Sequence, residues 1–268
     1  MPFQYTSLAQ LPLAYAHIYL SPHLDDAAIS CGGAIARFAA EGQPVLVVNV
    51  CSGSPPPGGP FSPFAELQHA RWGLPADQAV ALRRAEDAAA LEILGADCLQ
   101  LDLLDAIYRM PTAYRDDATL FGPLAAADTL QAELRPLLHG LAARYPGAIF
   151  YAPLAVGFHV DHQAVHAAAA DLTRAGVAVA SYEDLPYVAA TGALARRLES
   201  LGGPELFVPA VTLIGAQLGR KLAALEAYAS QLGTLFGGSA QMAEAITSYA
   251  QAVAGQQGGA GERIWMRS

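Results

Sequence analysis

The chain reads as an α/β protein: a Rossmann-like, mostly parallel sheet with helices on both faces, forming one domain over residues 1–268 whose C-terminal part is less regular. Three observations predict this. Short apolar runs alternate with longer helical patterns, giving a repeated strand–helix order. The run Pro44–Cys51 (PVLVVNVC) is apolar or β-branched at nearly every position, as in a parallel strand covered on both sides. No linker or internal repeat divides the 268 residues.

The elements follow in order. His17–Ser21 reads as a buried strand. Ala28–Glu41 is a helix stopped by Gly42, a residue suited to the left-handed position after a helix. Pro44–Cys51 is the central strand. Ser52–Pro75, with its Pro55–Pro60 run of prolines and glycines, is expected to be irregular, as a lid or a mobile loop. Ala76–Leu94 is a helix ending at Gly95, and Cys98–Leu101 a short strand. A second loop covers Asp102–Pro123, followed by a helix to about Tyr145. Gly147–Pro153 is a strand, Asp161–Ala175 a helix stopped by Gly176, and Val177–Tyr182 a strand. Glu205–Ile214 is expected as a strand of different character. Helices near Ala216–Leu232 and Ala240–Ala254 then precede a Gly/Gln-rich break at Gly255–Gly261.

Composition excludes several classes. A 53% hydrophobic, 15% charged chain is not disordered. With 24 acidic against 15 basic residues and a net charge of -9, it lacks the basic stripe that nucleic acid needs. No apolar run reaches the ~18 residues that span a bilayer, and no basic stretch precedes Leu11–Leu20 as in a signal peptide. Cys31, Cys51 and Cys98 are odd in number and show no CxxC spacing, as expected of reduced thiols in a cytoplasmic protein. Apolar faces on alanine-rich helices leave a homo-oligomer open.

In open α/β sheets, sites lie beyond the carboxyl ends of strands. Two loops in such places carry most of the chemistry. The first is Ser21-Pro22-His23-Leu24-Asp25-Asp26, the second Gly157-Phe158-His159-Val160-Asp161-His162. Together they bring three imidazoles and three carboxylates to one sheet edge. A catalytic divalent ion such as zinc takes three His or carboxylate ligands and leaves a position for water. Two histidines and an aspartate from these loops satisfy that count. Taken singly, an Asp before a helix is usually a cap and a lone His is usually structural. The joint pattern points to a metal.

The segments Ser21–Gly33 (SPHLDDAAISCGG) and His159–His166 (HVDHQAVH) resemble the LmbE-like, or PIG-L, family of metal-dependent de-N-acetylases. Weaker echoes are Arg84–Asp87, Tyr182–Tyr187, Lys221 with Tyr228–Gln231, and Glu262–Trp265. The resemblance implies a Rossmann-like fold and hydrolysis of an acetyl amide. It further implies that His23, Asp26 and His162 bind zinc or another divalent ion, that Asp25 is the general base, and that a protonated His159 stabilises the oxyanion or donates a proton. Asp161 would orient an imidazole. Leu24 stands where the family has proline, and Ala27 where it has glutamate.

Other candidates have plainer readings. His166, four residues after His162, lies on the same helix face, but Gln163 breaks the HExxH pattern, so it is expected to pack or to support a ligand. His17, His69 and His139 read as structural or surface residues, and Cys31 and Cys51 as packing. Gly32-Gly33 does not complete a dinucleotide fingerprint and is expected to permit close helix packing. Arg84, Glu86 and Asp87 are expected on a solvated face; by the resemblance, a polar residue there or Asp105 could contact sugar hydroxyls. No GxSxG elbow is present. The expected activity is metal-dependent removal of an acetyl group from an N-acetylated amino sugar or its conjugate, a small-molecule substrate. The alternatives are a metal-dependent amidase on a thiol conjugate or antibiotic-like substrate, and a non-catalytic sugar- or metal-binding descendant. His₂Asp ligation suits zinc, iron, manganese or nickel alike.

Overall fold

The computed structural model describes residues 2–12, 14–74 and 76–268. In chain order the elements are β1 (Gln4–Tyr5), β2 (His17–Ser21), α1 (Asp26–Ala40), β3 (Val45–Asn49), α2 (Pro63–Trp72), α3 (Ala76–Leu94) and β4 (Asp97–Gln100). There follow α4 (Ala106–Arg109), α5 (Asp117–Leu120), α6 (Leu130–Arg144), β5 (Ile149–Pro153), α7 (Val160–Arg174) and β6 (Val179–Tyr182). The C-terminal part holds α8 (Ala193–Ser200), β7 (Phe207–Leu213), α9 (Leu218–Leu225), α10 (Ala229–Phe236), α11 (Ser239–Ala254) and β8 (Gly261–Arg267). The strands form one eight-stranded sheet in the order β1-β4-β3-β2-β5-β6-β8-β7. The first six in that order are parallel, and β8 pairs antiparallel with both β6 and β7. The α/β class and mostly parallel sheet expected from the sequence are therefore present.

Period-two side-chain alternation sorts the core into two layers. Ile18 and Leu20 of β2, with Leu46 and Val48 of β3, face Leu134, Leu138, Val165 and Leu172 of α6 and α7. Tyr19, Val45 and Val47 face the opposite way, against Ile35, Leu91, Leu94 and Leu225 of α1, α3 and α9. Burial on both faces is what the unbroken apolar pattern of Pro44–Cys51 encodes. Gly42 has φ +76°, the left-handed turn expected after α1. A Cβ on Gly33 would lie 2.5 Å from Ile214 Cδ1, so this glycine does permit close packing of α1.

Several elements were not foreseen. Ser62 caps α2 through Ala65 N–H with Pro63 in the first turn, a start signal hidden inside a segment read as irregular. β1, α4, α5, α8 and β8 are short or follow glycine-rich stretches. The helix expected over 216–232 is broken into α9 and α10. At the break Tyr228 Oη donates to Asp87 at 2.7 Å, and Glu86 accepts from Ser230 N–H at 2.8 Å. These contacts cap the new helix from α3 and override local helical propensity. β8 is tied back by Glu262, which accepts from Gly33 and Ala34 N–H and pairs with the buried Lys221 at 2.8 Å. No helix of the described residues is long and apolar enough to cross a membrane.

Candidate metal centre

The chain runs outward from β2 through β3 to β4 on one side, then returns to place β5 on the other. The sheet reverses between β2 and β5, and the loops after these two strands face each other across that gap. The first loop is fastened to the sheet: Val50 and Cys51 N–H donate to the carbonyls of Ser21 and Pro22, both at 2.8 Å. Ser21 Oγ donates to His23 O at 2.7 Å and accepts from Ala27 N–H at 3.0 Å. The second loop is strained. Ala155 (φ 62°) and Phe158 (φ 65°) adopt positive φ, a cost that tends to concentrate at functional sites. Gly157 between them (φ 94°) has no room for a Cβ, which would lie 2.7 Å from Tyr187.

The two loops bring His23, Asp25, Asp26, His159, Asp161 and His162 together, all of them buried. Asp26 Oδ2 lies 3.2 Å from His23 Nδ1 and 3.3 Å from His162 Nε2. The far nitrogen of each imidazole meets another carboxylate. His23 Nε2 is 3.0 Å from Asp161 Oδ2 and 3.5 Å from Asp105 Oδ2, and His162 Nδ1 is 2.7 Å from Asp184 Oδ1. Asp161 is locked by Arg109 at 2.6 Å, which also grips Asp128. Asp184 Oδ2 accepts from Val156 N–H at 2.9 Å. His159 differs from the other two, because its Nδ1 accepts from Asp161 N–H at 3.2 Å. That leaves the proton of the neutral ring on Nε2.

The electrostatics follow from this packing. Burial works against the charge of Asp26, yet His162 and His23 hold its carboxyl well below the usual range. Burial likewise opposes protonation of His162, but Asp26 and Asp184 raise it to about 9. His23 is raised well above its ordinary value by Asp161 and Asp26, again against its burial. His159 goes the other way: burial and the positive charge of His23 keep it neutral. The sequence expectation of a protonated His159 is thus replaced by a neutral imidazole that donates through Nε2. Asp25 is pushed up to about 6 by burial and by Asp26, with Arg83, 3.6 Å away, pulling it back.

The residues fit a divalent ion. His162 Nε2 is fully buried and has no hydrogen-bond partner. Ligand bonds of about 2.0–2.2 Å in a tetrahedron set neighbouring donor atoms roughly 3.3–3.6 Å apart, close to the two separations around Asp26. The carboxylate behind each of His23 and His162 is the usual support for a ligating imidazole. Ligand atoms of His23, His159 and His162 come within 4.8 Å of one another, as do those of His23, Cys51 and Asp161, whereas Asp26 meets His23 and His162 in two separate contacts. His159 is the poorer ligand, since coordination through Nε2 would put a proton on Nδ1 facing a backbone donor. Burial holds the Cys51 thiol protonated, well above its ordinary pKa, and Arg109 already occupies Asp161.

A cavity of about 280 Å³ opens onto the cluster. Asp25, His23 and His159 stand at its floor; Trp72, Arg83, Phe121, Tyr187 and Leu235 form much of its wall. The irregular stretch 54–63 supplies none of the lining. The wall comes instead from Gln68, Arg71 and Trp72 of α2. Asp105 lines the cavity, but Arg84, Glu86 and Asp87 do not, and they do not form a solvated face. Arg84 donates to Ser52 O at 2.8 Å, while Glu86 and Asp87 are buried against α10 and Asn49. His17 and His69 are buried against Tyr151 and Tyr108, and His139 is exposed, as expected of structural and surface residues. His166 packs through Nδ1 on Pro153 O. Arg83, Arg109 and Asp184 were missed as site residues. Only Asp184 had left a trace, in the Tyr182–Tyr187 run.

No curated protein matches the chain. Among solved structures, the zinc-inhibited form of teicoplanin deacetylase is 30% identical, with 94% of this chain and 98% of that chain covered and a TM-score of 0.78. The deacetylase of the antimicrobial A40926 pseudoaglycone is 32% identical over 94% of this chain and 97% of that chain, with a TM-score of 0.75. The N,N'-diacetylchitobiose deacetylase of Pyrococcus horikoshii, 18% identical, covers 95% and 84% of the two chains at a TM-score of 0.57 and shares the fold. Residues 18–173, which hold both His/Asp loops, match the family described as PIG-L, GlcNAc-PI de-N-acetylase. With that match and the 30–32% identity over nearly the whole length, the chain belongs to the PIG-L de-N-acetylase family.

Proposed function

We propose that the protein hydrolyses the acetyl amide of an N-acetylated amino sugar or its conjugate, with a divalent ion, zinc in the first instance, held by His23, Asp26 and His162. The observation that carries this reading is the buried His162 Nε2, which makes no hydrogen bond and shares Asp26 with His23 beside the carboxylate of Asp25. When bound, the ion polarises the amide carbonyl and lowers the pKa of water from 15.7 to about 7.

The chain's own groups supply the rest. Asp25 faces the cavity, makes no capping hydrogen bond to α1, and is the carboxylate placed to take a proton from the attacking water. It then returns that proton to the departing amine. Such acid–base help is worth ~10²–10⁴ in rate. Arg83 holds Asp25 in place and lies 5.2 Å over the Trp72 ring. His159 donates its Nε2 proton to the carbonyl oxygen as charge builds there, the role of an oxyanion donor. Asp161 and Asp184 keep the other two imidazoles oriented.

The cavity volume suits an amino-sugar ring with its acetyl group. The aromatic wall of Trp72, Phe121 and Tyr187 suits a conjugate that extends out of the mouth. Two relatives at 30–32% identity are a teicoplanin deacetylase and a deacetylase of the antimicrobial A40926 pseudoaglycone, which favours a conjugate over a free sugar. The buried, unpaired cysteines fit a cytoplasmic setting. Acetate release from a panel of N-acetylglucosaminides tests the reading, using protein loaded with one equivalent of zinc. Release by the wild type and its loss in Asp25→Asn is expected. Equal release by Asp25→Asn, or no release from any substrate by metal-loaded wild type, overturns it.

A further inference from the structure

A second cavity, of about 410 Å³, is larger than the one at the metal centre. It lies one turn further along α7, where β8 and β7 carry the sheet beyond the edge of that helix. Phe207 and Trp265 give it aromatic walls, and Ala169, Ala170 and Val179 complete an apolar lining. This is the size and character of a small-molecule site: mostly apolar, with a few placed polar groups.

The polar groups are specific in kind. Ser181 is 9% exposed, lines the cavity, and its hydroxyl has no hydrogen-bond partner among the described residues. His166 also lines it. Its Nδ1 donates to Pro153 O at 2.9 Å, so Nε2 carries the lone pair and is an acceptor left over. Burial together with Arg197 and Arg267 pushes this imidazole down to about 4, so the lone pair persists at neutral pH. At the rim stand two guanidiniums. Arg174 is paired with Asp171, whereas Arg267 lies 6.0 Å over the Phe207 ring and has no carboxylate partner among the described residues. Among the described residues no acidic side chain lines the cavity.

We propose that this cavity binds a small aromatic carboxylate carrying a hydroxyl at its far end, of the 4-hydroxyphenylacetate type. The carboxylate meets Arg267, the ring lies between Phe207 and Trp265, and the hydroxyl donates to His166 Nε2 and accepts from Ser181 Oγ. The proposal is independent of the reaction assigned to the metal centre.

Calorimetric titration of the full chain with 4-hydroxyphenylacetate tests it. Tyramine, which has the same ring and hydroxyl but the opposite charge, is the comparison. Trp265 locates the ligand, because in a Trp72→Phe background it is the single tryptophan. Saturable binding of the anion with a matching change in Trp265 fluorescence is expected, and no saturable binding of tyramine. Arg267→Gln, at an exposed position, weakens the anion about tenfold through loss of a charge-assisted contact. Ala170→Phe fills the cavity and abolishes binding, and its melting curve shows whether it has folded. The proposal is overturned by absent binding of the anion, by equal binding of tyramine, or by binding that survives Arg267→Gln at full strength. A dimer whose dissociation follows Arg267→Gln overturns it too, since the face would then be covered by a second copy.

Discussion

Replacing Asp184 by asparagine is the sharpest test of how the imidazoles are held. Asp184 is 1% exposed and accepts two hydrogen bonds, from His162 Nδ1 at 2.7 Å and from Val156 N–H at 2.9 Å. Alanine would leave both donors unpaired at about 1–3 kcal/mol each, a large share of a typical 5–15 kcal/mol stability. Asparagine keeps the shape but offers one acceptor and one donor. If its oxygen serves Val156, its amide faces His162 Nδ1 and drives the ring proton to Nε2. That is the nitrogen which must be bare to bind an ion. Loss of such supporting carboxylates lowers metal affinity about 10–100-fold, or roughly 1.4–2.7 kcal/mol. The assay is zinc competition against a chelator at fixed pH, with wild type and Asp184→Asn compared at equal folded fraction. A variant that binds zinc within twofold of wild type refutes the assignment of His162 as a ligand.

Further outcomes are expected for Asp25, for zinc uptake and for Lys221. Asp25→Asn lowers turnover about 10²–10⁴-fold while zinc affinity stays near wild type. The wild-type rate climbs with pH as Asp25 ionises, and this limb lies below the value of about 6 that Asp25 has without the ion, because a neighbouring cation favours the carboxylate. Because the folded pKa of Asp25 lies above its ordinary 3.8, ionising it costs stability as pH rises through 6. Metal-free Asp25→Asn therefore melts higher than wild type above pH 6, with no difference below about pH 4. Zinc binding at pH 7 releases protons, because Asp26 and Asp184 keep His162 protonated up to about 9 in the metal-free cluster; calorimetry in buffers of different ionisation enthalpy reads the number. Lys221→Met leaves Glu262 buried and short of its cation, costing about 3–5 kcal/mol by urea unfolding, and adding Glu262→Gln recovers part of it.

What the sequence made legible was whatever rests on local pattern. Val45–Asn49 declares itself because both faces of that strand are covered, so every position before Asn49 is apolar. The His/Asp loops are legible because position in an α/β sheet and donor chemistry point to the same edge. Three things were hidden, each for a physical reason. β8 follows Gly255–Gly261 and is held by pairing with β6 and β7 and by the Lys221–Glu262 contact, none of which is local in sequence. The break between α9 and α10 is imposed by Asp87 and Glu86, more than 140 residues away. Arg83 looks like an ordinary helix residue, and Arg109 like a residue of an irregular loop, until the chain folds them against Asp25 and Asp161.

The departures at Leu24 and Ala27 bear on what holds the first loop rigid. Proline would fix φ at position 24 through its ring, and leucine does not. Here the constraint comes from hydrogen bonds instead. The carbonyls of Ser21 and Pro22 are hooked to Val50 and Cys51, Ser21 Oγ spans the loop from His23 O to Ala27 N–H, and Asp26 Oδ2 accepts from His23 N–H at 2.8 Å. The leucine side chain is buried and lines a small cavity together with Cys51, Trp72, Arg83 and Tyr108. Ala27 is 1% exposed inside the apolar layer formed with Tyr19, Leu154 and Tyr182. A glutamate there would need a buried partner, because an unpaired carboxylate in such a setting neutralises or destabilises. This chain therefore holds its loop by backbone and hydroxyl contacts and leaves position 27 apolar. The acidic groups that reach the cavity are Asp25, Asp26, Asp105 and Asp117.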